Sequence, residues 1–118
     1  MMVEVTIRNY LGGKLDVPVL MEEPEVPSEQ FPTMPDAYVI MERIGGGKKN
    51  HIGSVSVALQ SYGSSLYNAA SLDETVRDAM DNIVELDSIN SAKLASNYNF
   101  TDTTKKKYRY QCTYDLTY

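Results

Sequence analysis

The sequence predicts an α+β domain, an α/β sandwich in which a mixed, mostly antiparallel sheet of about four to five strands carries two helices on one face. Three observations predict it. Apolar residues recur with helical spacing in two stretches, one near the start and one after residue 64. They alternate with polar residues, as strands do, around residues 37–62 and again from 92 onward. Glycine-rich and Thr/Asp-rich connectors divide the alternating runs into hairpins. The chain of 118 residues fits one domain, 1–118, with a single core.

Met2 to Lys14 places Val3, Ile7, Tyr10 and Leu11 on one helical stripe, and Gly12-Gly13 is expected to stop the helix. Val17-Pro-Val-Leu-Met21 is short and apolar. Its proline cannot donate to a ladder, so an edge strand is expected. Glu22 to Pro35 holds four prolines and four glutamates and reads as an extended loop. A hairpin follows over Ala37 to Tyr62, with its turn at the three glycines Gly45 to Gly47. From Ser64, with Ser64 or Ser65 as N-cap, Leu72, Val76, Ala79, Met80 and Ile83 form the longest apolar stripe. Tyr67 and Met80 are read as core positions of that helix, and Asp73, Glu74, Arg77, Asp78 and Asp81 as its solvated face. Two alternating runs close the chain. Ala92, Leu94, Ser96, Tyr98 and Phe100 share one strand face; Tyr108, Tyr110, Cys112, Tyr114 and Leu116 share another; Thr101 to Lys105 joins the runs. The last run turns an aromatic-rich face to the helices. Its other face, charged and hydroxylated, is left for water or another protein.

The segment Ile44-Gly-Gly-Gly-Lys-Lys-Asn-His-Ile52 invites comparison with a phosphate cradle. A Walker-type loop needs a Ser or Thr after Gly-Lys to reach magnesium, and a helix following it. Here Lys49 follows Gly47-Lys48, and the next residues alternate as a strand. A hairpin is the better account. His51 is the only histidine and Cys112 the only cysteine, so no metal-ligand set with recognisable spacing exists. An internal disulfide is impossible, and Cys112 in a strand-like run has no base beside it in sequence. The acid pairs Glu22-Glu23 and Asp73-Glu74 lie in a loop and on the solvated helix face, without the burial that general acid work requires. No enzyme, cofactor or metal is expected.

Composition is that of an ordinary globular protein, with 42% hydrophobic and 23% charged residues. No apolar run approaches a membrane span, and no leader pattern opens the sequence, so cytoplasmic residence is expected. The charge is segregated. Residues 1–42 hold eight acids and two bases, and 63–104 seven acids and two bases. Residues 43–62 hold three bases and no acid, and 105–118 four bases and one acid. A pI near 4.7 argues against a general nucleic-acid binder, although Lys107-Tyr-Arg-Tyr110 mixes cations with aromatics.

The ordered words of the chain carry a further signal. Val5-Thr-Ile-Arg-Asn-Tyr-Leu11, Val17-Pro-Val19, Glu22-Glu-Pro24, Tyr38-Val-Ile40, Gly45-Gly-Gly-Lys-Lys-Asn-His-Ile52, Gln60-Ser-Tyr62, Tyr98-Asn-Phe-Thr-Asp-Thr-Thr104 and Lys107-Tyr-Arg-Tyr110 resemble a family of small tail proteins. These are tail terminators of long-tailed siphophages and prophages of Gram-positive bacteria, and the resemblance spans nearly the whole chain. It implies an α/β sandwich without cofactor that forms a six-membered ring. Such a ring binds the last ring of the tail tube, ends its polymerisation and offers a surface to the head connector. The implied location is the head-proximal end of the virion tail, with assembly in the host cytoplasm. The implied partners are further copies of the chain, the tube protein and the head-tail connector protein. Expected interface residues are Arg43, Lys48, Lys49, Asn50 and His51 on one loop, and Thr103, Thr104, Lys105, Lys106, Lys107 and Arg109 on the other. Two alternatives stay open: a neck component of the same virion, and a small nucleic-acid or nucleotide-binding module using the glycine-lysine loop.

Overall fold

A computed structural model describes residues 2–118. Helix α1 (Val3–Lys14) and helix α2 (Leu66–Asp81) lie on one face of a five-stranded sheet built from β1 (Val19–Leu20), β2 (Tyr38–Lys49), β3 (Ile52–Gly63), β4 (Ser91–Asn99) and β5 (Tyr108–Thr117). The order is β1-β2-β3-β5-β4. Only β1 and β2 run parallel; every other pair is antiparallel. The α+β sandwich is thus present, with its main core between helices and sheet.

Helix α1 is a poor helix former on propensity, with Val3, Val5, Thr6 and Ile7 in its first turns and two glycines near its end. Packing holds it. Val3, Ile7 and Leu11 are buried, and the Tyr10 hydroxyl donates to the Ala79 carbonyl of α2 at 3.0 Å. The glycines do not stop it. Their outer sides meet open space, the helix runs on to Lys14, and the Leu15 N–H donates to the Leu11 carbonyl. Leu15 is itself buried, one further step of the Val3, Ile7, Leu11 stripe, and this keeps the last turn wound.

Strand β1 is shorter than the expected Val17–Met21 but is the edge strand that Pro18 implied: the Pro18 carbonyl accepts from the Val39 N–H. In the first hairpin, the three glycines stay within β2, and the turn falls at Asn50 and His51, with φ of 52° and 68°. Two successive positive φ values give a turn whose twist matches the flanking strands. Gly46 alone uses glycine's freedom, at φ 140°, just after a bulge between Arg43 and Gly45.

Ser65 caps α2, its hydroxyl accepting from the Asn68 N–H at 3.1 Å. Val76 and Met80 are fully buried, and Ile83, equally buried, belongs to a 3-10 turn (Ile83–Glu85) beyond the helix. Tyr67, read as core, is 80% exposed, because two residues from Ala69 it falls on the side of the helix away from the buried Ala69, Asp73, Val76 and Met80 stripe. In β4 a bulge between Leu94 and Ser96 breaks the alternation. Ala92 and Leu94 pair with Leu116 and Tyr114 of the helix-covered face, whereas Ser96 and Tyr98 pair with Thr113 and Gln111 of the opposite face. The single expected face of Ala92, Leu94, Ser96, Tyr98 and Phe100 is therefore split in two.

Candidate functional site

The face opposite the helices is not uniformly free. At the end where β2 begins, Tyr38 and Tyr62 stack at 4.5 Å between ring centres, and with Ile40 they form a second buried cluster. The proline-rich segment and the β4–β5 loop shelter it. The Glu23 carboxylate accepts from the Tyr38 hydroxyl at 3.1 Å and from Lys107 Nζ at 2.9 Å, so one acid ties the two coverings together. Those partners hold the Glu23 carboxyl below its usual range against the opposing pull of burial. Toward the other end the same face is hydroxyl-rich and solvated, with Ser56 donating to Asp115 at 2.7 Å and Ser54 to the Gly47 carbonyl at 3.4 Å.

The two cationic loops stand at opposite ends of the sheet. Register decides this: Gly63 pairs with Tyr108 at one end of the β3–β5 ladder and Ser54 with Thr117 at the other. Ten paired residues separate the ends by about 30 Å. Lys48, Lys49, Asn50 and His51 occupy one tip, all exposed; Thr103, Thr104, Lys105 and Lys106 occupy the loop at the far end, also exposed. The loop residues among the expected interface set are thus divided between the two ends.

Three of them serve the fold as well. Arg43 pairs with Glu4 of α1 at 3.5 Å. Lys107 pairs with Glu23. Arg109 donates to the Phe100 carbonyl at 2.7 Å and the Tyr62 hydroxyl at 2.9 Å, and its guanidinium lies 4.3 Å from the Phe100 ring centre. Within the loop, Asp102 Oδ1 accepts the N–H groups of Thr104 and Lys105 at 3.0 and 3.1 Å. This aspartate turn orders the backbone that leads into Lys105 to Lys107.

A buried polar cluster lies where the sequence implied solvent. Asp73 is 1% exposed, not on the outer face of α2. Its Oδ2 accepts from Arg77 Nε at 3.0 Å, and both its oxygens accept from Asn97 Nδ2, at 3.1 and 2.9 Å. The bulge in β4 causes this by turning Asn97 toward the helices opposite Cys112. Beside it, the Tyr114 hydroxyl donates to Asp81 Oδ1 at 2.7 Å; burial, then that carboxylate, push its pKa upward. Burial also drives the Cys112 thiol up to about 12, so it stays protonated at neutral pH. No signal within the Asp73-Glu74 words marked one acid as buried. A period-3.6 count starting from Ala69 does reach Asp73 and Val76 together, and both side chains are buried.

No group of three or more His, Cys, Asp or Glu side chains converges to hold a metal among the described residues. A cavity of about 580 Å³ lies between Arg8 and the proline-rich segment, lined by Glu22, Glu23, Glu25 and Glu29 without a nucleophile and base in contact. No described helix is long and apolar enough to cross a membrane. No known family model matches the chain, and no curated protein matches it.

Proposed function

We propose that the chain is a structural phage tail protein that caps the tail tube as a ring, of six copies by its resemblance to tail terminators, and that it ends tube growth and receives the head connector. The observation that carries this reading is the separation of the two exposed cationic loops to opposite ends of one sheet. A ring held between a tube and a connector needs two different end surfaces on each subunit. With strands running along the ring axis, the Asn50-His51 tip faces one neighbour and the Thr103 to Lys106 loop the other. The acidic groove beside Arg8 and the acidic outer face of α2 remain for other contacts.

The test is electron microscopy of the parent phage carrying an early stop codon in this gene. Overlong, headless tubes beside filled heads are the expected result. Tails of normal length that fail to join heads, or heads that leak their DNA, would place the protein in the neck instead.

A further inference from the structure

Both edges of the sheet are left unpaired over the same length. Strand β1 covers only Val39 and Ile40 of β2, so Met41 to Lys49, nine residues, have no strand on their outer side among the described residues. Strand β4, also nine residues, is the opposite edge, with β5 as its only partner among the described residues. From Glu42 to Lys49 every residue but the half-buried Gly45 is exposed, and β4 exposes Leu94 and Tyr98 at 41% and 42%. Long exposed edges of this kind are templates for another strand.

We infer that the β2 edge of one copy pairs antiparallel with the β4 edge of the next, making a continuous sheet through the assembly. Three features favour a second copy as the occupant. The edges lie on opposite sides of one sheet, so the joint is head-to-tail and can close into a ring. β2 and β4 run in opposite directions within a copy, so copies related by rotation about an axis along the strands bring them together antiparallel. Aligned end to end, with Met41 against Asn99 and Lys49 against Ser91, the extra residues of the two bulges, Ile44 and Ala95, fall within one position of facing each other. A bulge normally blunts an edge, but two bulges at matching positions bend together. Charge agrees with the alignment. It sets Lys48 and Lys49 beside the neighbour's turn into β4, where Asp87 is exposed and makes no ion pair among the described residues.

This joint rests on the ring reading but is tested apart from it. Gly47→Cys is combined in turn with Ser91→Cys, Lys93→Cys and Ala95→Cys; a Cβ at Gly47 meets open space, and Cys112 is buried. Oxidation of purified protein, read on a non-reducing gel, should give a ladder of covalent species beyond the dimer for at least one pair, ending at a discrete size. Each single-cysteine variant should stop at the dimer. Lys48→Glu with Lys49→Glu should remove the ladder, and adding Asp87→Lys should restore it. Intact oligomers by light scattering with no species beyond the dimer in any pair would overturn the edge joint and leave the ring standing. A monomer at every concentration, again without a ladder, would overturn both.

Discussion

The two hairpins carry similar lysine-rich words, yet the structure treats them differently. The β4–β5 loop is fastened from several sides: Asp102 holds its backbone, Arg109 reaches Phe100 and Tyr62, Lys107 meets Glu23, and Asn97 pins β4 to Asp73 of α2. The β2–β3 tip has its ladder, the turn at Asn50 and His51 and one hydroxyl bond from Ser54. Charge in the β4–β5 loop thus partly serves the fold, whereas Lys48 and Lys49 at the β2–β3 tip make no ion pair among the described residues. Equal local charge does not imply equal availability to a partner.

The sharpest way to break the fastened hairpin is Asp73→Ala. It strips Arg77 and Asn97 of their acceptor at once, and breaking a buried pair by removing one partner costs 3 to 5 kcal/mol in general. Arg77, with a third of its side chain exposed, can turn to water, so a loss of about 3 kcal/mol is expected. Urea unfolding measures it. A loss below about 1 kcal/mol would mean that β4 is held by its ladder alone.

At the other hairpin, Gly46→Ala comes next in size. A Cβ there meets the Ser54 carbonyl oxygen and lies 2.9 Å from Val55 Cα, and φ is 140°. Strain of this kind costs about 2 kcal/mol. Gly47→Ala, one residue on with open space around its Cβ, should change stability by less than about 0.5 kcal/mol. Equal effects in a thermal melt would show that the bulge relaxes and that the tip is softer than drawn.

How far the sequence discloses these differences depends on whether the signal is periodic or pairwise. The stripes Val3-Ile7-Leu11 and Val76-Met80 and the alternation of Cys112, Tyr114 and Leu116 are periodic, and the sandwich follows from them. A one-residue bulge has no compositional mark in Leu94-Ala-Ser96, so the reversal that brings Asn97 to Asp73 is invisible until the strands are paired. The turn at Asn50-His51 was similarly hidden: glycine is the usual residue at positive φ, and three glycines lay nearby. The cationic residues were all readable, but their division between opposite ends is a property of register.

Arg109→Ala returns to the fastened loop with a smaller effect. It removes two charge-assisted hydrogen bonds and a cation–π contact, all at a partly exposed site, and should cost about 1.5 kcal/mol. Arg109→Lys keeps the charge but not the fork that reaches both Phe100 and Tyr62, so it should recover less than half of the loss. Full recovery by lysine would show that charge alone matters there.

The smallest effect belongs to the free tip and has the opposite sign. His51 sits at φ 68°, where an L residue with a Cβ pays roughly 1 kcal/mol and glycine does not. Glycine also loses more freedom on folding, which offsets part of the gain. His51→Gly should therefore stabilise by about 0.5 kcal/mol, a rise of roughly 2 °C in Tm for a chain of this length. Asn50→Gly should gain less, since asparagine already tolerates the left-handed region. The pair reports whether the tip is formed in the free protein. If neither variant moves Tm, the Asn50-His51 turn contributes nothing to the isolated fold and takes its shape only against a partner, whereas a rise confined to His51→Gly means that the tip stands preformed with Lys48 and Lys49 already in place.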